Sequence, residues 1–155
     1  MIHIVLDNIR SVYNVGSIFR TADGVGDCKL YLCGITAPVG HPKIEKTALG
    51  ASLAIPSEQF EKTKDAIKAL KQQKIPIYSI ELTKSSEDYK DITYPDDIAF
   101  VFGHEKKGVQ KEIMELSDKV VHVPMHGMKE SLNVATVTGI ILYEAIRDKD
   151  RKNND

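Results

Sequence analysis

The chain has 155 residues, of which 42% are hydrophobic and 28% charged, with a formal net charge of −1. That length suits one domain, able to bury about 68–70% of the surface its unfolded form exposes, and the balance is ordinary for a globular protein. Near-neutral charge argues against a generic polyanion binder while leaving room for a local RNA-binding patch; no apolar run reaches the ~18 residues of a membrane span, and no signal-peptide pattern follows Met1, so a cytoplasmic protein is expected.

In chain order, residues 2–7 (IHIVLD) read as a strand, 15–23 as a helix and 29–35 (KLYLCGI) as a second strand. The stretch 41–59 is mixed, broken by Pro42, Gly50 and Pro56. Residues 60–73 read as an amphipathic helix in which Phe60, Ala66, Ile67 and Leu70 share a face, and 75–82 (IPIYSIEL) as a strand with Pro76 near its start. The continuous apolar run 98–102 (IAFVF) predicts a strand covered on both faces. A short helix near 109–116, a strand at 119–124 (KVVHVP) and a long helix over about 131–147 follow. One domain is expected over 1–147, with a polar, frayed tail over 148–155.

This alternation predicts an α/β fold with a mainly parallel sheet and helices on both faces. Cys28 and Cys33, an odd number of positions apart on a strand, should face opposite sides, as small buried hydrophobes of a reducing compartment. Neither forms a zinc-type spacing with the five histidines, so no metal site is expected.

Ligands of such sheets sit beyond the carboxyl ends of the strands, which singles out three loops: 8–14, 103–108 and 124–131. In the first, Asn14 can cap a helix whose buried stripe is Val15, Ile18, Phe19 and Ala22. Arg20 lies roughly 150° from that stripe and faces either water or a substrate. Gly16 costs the helix on the order of 1 kcal/mol relative to Ala, which makes sense if something approaches its backbone closely. In the second, FGHEKKGV (102–109), Gly103 and Gly108 bracket a polar turn whose backbone N–H groups can hold a polar ligand. Glu105 can pair with a cation, accept from a ribose hydroxyl, or simply sit in water. Neither a P-loop nor a dinucleotide fingerprint is present. In the third, Ser131 is a plausible helix cap with Asn133 just inside the helix. Met125 and Met128 are either core filling or an apolar wall for a flat ring. From Leu132 to Ile146 the helix is apolar almost all round, so one of its sides can be covered by a second subunit.

Together these stretches resemble the three motifs of the SPOUT class of RNA methyltransferases, in particular the TrmH (SpoU) family of ribose 2′-O-methyltransferases. Asn14 and Arg20 in YNVGSIFRTAD match the first motif, Gly103, Glu105 and Gly108 the second, and PMHGMKESLNV, with Ser131, Leu132 and Asn133, the third. KTALGA (46–51) is similar to a weaker family signature. The resemblance implies a SPOUT fold with a C-terminal trefoil knot, which topology rules would not propose. It implies S-adenosylmethionine held bent by the backbone of two loops: Phe102, Gly103, His104, Glu105 and Gly108 in one, and Val123, Pro124, Met125, Ser131, Leu132 and Asn133 in the other. It implies RNA as partner and a homodimer in which Arg20 of one subunit reaches the cofactor of the other; a compact catalytic dimer without an appended domain suits a small folded RNA, so tRNA is favoured over rRNA.

Arg20, Asn14, Glu105, Ser131 and Asn133 are then the candidate catalytic residues. Arg20 acts either as the base or as a clamp on the 3′-phosphate; Asn14 and Glu105 orient Arg20 and the ribose; Ser131 and Asn133 fix cofactor and target nucleotide. The extra N-terminal RNA-binding domain of many members is expected to be missing, so RNA selection falls to the catalytic dimer, to its lysines or to an auxiliary protein. The alternative reading is an RNA-binding member of the same fold without turnover.

Overall fold

The computed structural model describes residues 1–154, the side chains of Asp148 and Lys152 aside. The chain runs through β1 (Ile2–Asp7), α1 (Val12–Val25), β2 (Cys28–Cys33), α2 (Pro42–Ala48), α3 (Ala51–Ala54), β3 (Ser57–Phe60), α4 (Thr63–Gln72), β4 (Ile77–Ile80), β5 (Glu87–Asp88), β6 (Ile98–Gly103), α5 (Lys111–Leu116), β7 (Lys119–His122) and α6 (Val134–Asn154). The strands form one sheet in the order β3-β2-β1-β6-β4-β7-β5. Every strand pairing in it is parallel, so the carboxyl ends of all strands open on one edge.

Side-chain parity divides the strand residues between two cores. Ile2, Ile4 and Leu6 of β1 and Ile98, Phe100 and Phe102 of β6 face α1, α2 and α6. Val5, Ala99 and Val101 face α4 and α5. The apolar run 98–102 is therefore covered on both faces, as its composition requires. Cys28 and Cys33 fall one into each core. Burial pushes their thiols up to about 11 and about 12, so both stay protonated and inert.

Several boundaries differ from the sequence expectation, four of them with a physical consequence. Phe60 does not open a helix: it ends β3, paired with Cys33, where its ring stacks on Tyr31 at 6.0 Å. The strand ladder satisfies its backbone, and α4 begins only at Thr63. Helix α1 starts three residues early, because Ser11 caps it by accepting from Asn14 N; Asn14 lies inside the helix. Ser131 is not the cap of α6. Asn133 is, its Oδ1 accepting from Ala135 N at 2.9 Å and Thr136 N at 3.3 Å. The same helix continues to Asn154 instead of ending near 147. The two-residue strand β5 is too short to carry a periodic signal.

Gly16 faces α2. A Cβ there would lie 1.9 Å from Thr47 Oγ1 and 2.5 Å from the Ile44 carbonyl oxygen. Thr47 in turn donates to the Tyr13 carbonyl at 3.0 Å, which accounts for part of the KTALGA stretch. Helix propensity alone makes Gly16→Ala stabilising by about 1 kcal/mol, whereas backbone overpacking costs about 1–3 kcal/mol. Urea denaturation should find the variant less stable than wild type; a gain in stability would show that α1 and α2 can move apart freely.

Candidate active site

The carboxyl ends of β4, β6 and β7 and the start of α6 enclose a cleft of about 860 Å³. Its first wall is the loop after β6. Gly103 lets this loop fold back on itself: a Cβ there would stand 2.1 Å from Val109 N. Gly108 takes φ +71°, and a Cβ on it would strike Glu81 Oε1 at 2.3 Å.

Within this loop the N–H groups of residues 106–109 are taken up inside the structure. His104 Nδ1 accepts from Lys106 N at 3.1 Å and Lys107 N at 3.2 Å. Gly108 N donates to the His104 carbonyl at 2.8 Å, and Val109 N donates to Glu81 Oε1, also at 2.8 Å. With Nδ1 as acceptor, His104 is the tautomer protonated on Nε2. Four successive donors are consumed in holding the loop's shape.

Glu105 neither pairs with a cation nor sits in water. Its Oε1 accepts from Ser11 N at 2.9 Å and Asn14 Nδ2 at 3.2 Å, and its Oε2 accepts from Arg10 N at 3.0 Å. Partial burial works against the charge, but the backbone donors of Ser11 and Arg10, its own backbone N–H and the Asn14 amide outweigh it and hold the carboxyl below its ordinary range. Asn14 Oδ1 accepts from Asn133 Nδ2 at 3.2 Å. A directed chain thus runs from the N-terminus of α6 through Asn133 and Asn14 to Glu105. It joins all three loops singled out in the sequence.

Most predicted residues line the cleft: Phe102, Gly103, His104, Glu105, Gly108, Val123, Met125, Ser131, Leu132 and Asn133. Pro124 is not among the lining residues; half-buried, it only carries the chain from β7 into the loop. Met125 and Met128 both line the cleft, and Met128 is 93% exposed, so these methionines are wall and not core. Arg20 is exposed on α1 and outside the cleft. It stands six positions after Asn14 on α1, roughly 9 Å further along the axis and 240° around it. Glu81, Leu82 and His122 line the cleft unforeseen. They stand at the carboxyl ends of β4 and β7, the position that parallel-sheet logic favours for ligands.

The SpoU rRNA Methylase family model matches residues 1–143. The chain is 33% identical over 155 residues to a tRNA (guanosine(18)-2′-O)-methyltransferase of Aquifex aeolicus, covering 96% of this chain and 70% of that one. It is 31% identical over 150 residues to the 23S rRNA (guanosine-2′-O-)-methyltransferase RlmB of Blochmanniella floridana, covering 97% of this chain and 59% of that one. In structure it is similar to the SpoU methyltransferase AviRb of Streptomyces viridochromogenes in complex with AdoMet, with a TM-score of 0.89 and 26% identity over 96% of this chain and 60% of that one.

Glu105→Gln keeps the shape but offers one acceptor oxygen where the carboxylate offers two. It should cost about 1–3 kcal/mol at pH 7, because one of the Arg10 and Ser11 amides is left unpaired. A carboxyl with a lowered folded-state value stabilises the fold above its ordinary value of 4.5, and that contribution is lost as the pH falls through the folded-state value. The stability gap between wild type and variant, from denaturant titrations at pH 7 and pH 3, should therefore narrow in acid. A gap that widens would contradict the role given to the Glu105 charge.

Proposed function

Since the chain belongs to the SpoU rRNA methylase family, we propose that it is an S-adenosylmethionine-dependent methyltransferase acting on a ribose 2′-oxygen of structured RNA. The observation that carries this reading is the Asn133–Asn14–Glu105 chain, which draws three sequence-distant loops together at one cleft. The cleft's chemistry fits the donor: Leu82, Val123, Leu132 and Val137 offer apolar walls for a flat ring, and Glu81 and Glu105 place carboxylates among the lining of a site for a positively charged ligand. The loops 102–108 and 123–133 hold it, with Pro124 setting the path of the second. Bound there, S-adenosylmethionine supplies a methyl group already activated on a positive sulfur.

What is left for the protein is alignment and charge control. Holding the acceptor oxygen in line can contribute roughly 7–11 kcal/mol, and Ser131 and Asn133 are placed to orient the nucleotide. Asn14 holds Asn133 and Glu105 in register. Arg20 comes from the second copy of a homodimer, where it grips the 3′-phosphate and stabilises the developing oxyanion while water takes the proton; a guanidinium stays protonated and is a poor base. What supports the dimer is the outward position of Arg20 and the surface of α6, on which Tyr143 is 52% exposed beside half-buried Ile140 and Ile146. A C-terminal segment threaded as a trefoil knot and a cytoplasmic place of action complete the reading, with RNA selection supplied by the dimer's own lysines or an auxiliary protein. Transfer RNA is the favoured substrate, because the relative spanned to 70% of its length acts on tRNA and the one spanned to 59% acts on rRNA.

Wild-type protein should transfer labelled methyl groups from S-adenosylmethionine to bulk tRNA, and mass-spectrometric mapping in cells lacking the protein should show a 2′-O-methyl nucleotide missing from tRNA. A loss confined to ribosomal RNA would overturn the substrate, and no loss at all the activity. Arg20→Lys replaces a planar fork by a point charge and should lower kcat by roughly 10²–10³. Mixing Arg20→Ala with Asn133→Ala under subunit exchange should restore about a quarter of wild-type activity, since half the dimers are mixed and each holds one intact site. A mixture that stays inactive would place Arg20 and the cofactor loops in one subunit.

A further inference from the structure

A second groove of about 380 Å³ lies on the far side of the 104–106 turn from the catalytic cleft. Val12 and Tyr13 supply apolar lining, and Arg10, Lys43 and Lys106 bring positive charge to it. Tyr13 is 46% exposed. Its position is set from below, because its carbonyl accepts from Thr47 Oγ1 and α1 packs tightly on α2 at Gly16.

Four cationic side chains elsewhere, Lys29, Lys64, Lys119 and Arg147, stand in ion pairs, as in Lys29–Glu58 at 3.0 Å and Lys119–Glu87 at 2.9 Å. Among the described residues, Arg10, Lys43 and Lys106 have no carboxylate partner. The one carboxylate in the groove's lining, Glu105, is already engaged by three N–H donors. Three unpaired cations around an exposed aromatic ring make a surface complementary to a polyanion that carries flat rings.

We propose that this groove binds the RNA strand next to the methylated nucleotide, one base stacking on Tyr13 and the adjoining phosphates lying among Arg10, Lys43 and Lys106. The inference rests on the RNA-methyltransferase reading above and adds to it a subsite that the three motifs do not supply. Its logic is that of single-strand recognition in general, in which an aromatic face accepts a base without regard to sequence and cations track the backbone. Because the 104–106 turn is a common wall, RNA held in the groove delivers its neighbouring ribose to the cleft on the other side. Glu105 ties the loops together, and three cations against its one carboxylate leave the groove positive.

The test uses the full chain and fluorescein-labelled bulk tRNA, with binding followed by anisotropy and methyl transfer measured in parallel. Tyr13→Ala should weaken tRNA binding about tenfold and raise KM for RNA while leaving KM for S-adenosylmethionine unchanged; Tyr13→Phe, which keeps the ring, should bind like wild type. Lys43→Ala with Lys106→Ala should flatten the dependence of log affinity on log salt by about 0.7–1.4, the signature of one or two lost phosphate contacts. The pair Lys68→Ala and Lys71→Ala, exposed on α4 across the sheet, serves as control and should leave the slope unchanged. Unaltered binding in Tyr13→Ala, or an equal change in the control pair, overturns the groove. If wild type binds tRNA and Tyr13→Ala weakens it but no RNA is methylated, the groove stands and the methyltransferase reading falls; the reverse holds if methylation proceeds with binding indifferent to Tyr13.

Discussion

The Glu105 carboxylate is the point on which the site's geometry turns. Its two oxygens accept three hydrogen bonds from a different part of the chain, and in doing so they fix where α1 begins relative to the end of β6. Asn14, held by that carboxylate, in turn fixes Asn133, and Asn133 caps α6. An interaction of this kind is expensive to break one member at a time, because each loss leaves a partly buried donor without a partner. The three motif loops are therefore one structure and not three neighbours.

The sheet makes this possible by supplying a rigid edge. Parallel pairing puts the ends of β1, β4, β6 and β7 side by side, and cores on both faces leave the strands no freedom to slide. A second buried carboxylate works on the same edge. Asp7 ends β1 with no exposed surface and accepts from Thr63 Oγ1 at 2.5 Å, Gln110 N at 3.0 Å, Gln110 Nε2 at 2.7 Å and Asn8 Nδ2 at 3.0 Å. It anchors the start of α4 and the end of the 103–110 loop on the face opposite to α1. Asp7 and Glu105 thus brace that loop at both ends, and Glu81 braces it between them through Val109 N.

This construction explains why the N–H groups of residues 106–109 are spent internally. A turn whose shape depended on the ligand would pay the ordering cost at binding. Here His104, Glu81 and two glycines set the shape beforehand. The loop's shape is thus in place before any ligand arrives, and the neighbouring groove carries cations.

Much of this was legible in the residues. The apolar IHIVLD and the unbroken run IAFVF specify strands, and the odd spacing of Cys28 and Cys33 places them in separate cores, because side-chain direction along a strand is a local property. The family resemblance carried by the three motifs named ten of the residues that line the cleft. Gly16 announced a close approach without naming Thr47. What the residues did not disclose were partners. Asn14 looks like a cap and is instead the link between Glu105 and Asn133, 91 and 119 positions away; Ser131 looks like a cap, and Asn133 does that work. The last four amides of FGHEKKGV look open and are taken up by His104 and by a Glu81 that no motif marks. Spacing along a chain determines which way a side chain points, but which donor it meets depends on the order of strands in the sheet and on where distant loops come to rest, and that only the tertiary structure decided.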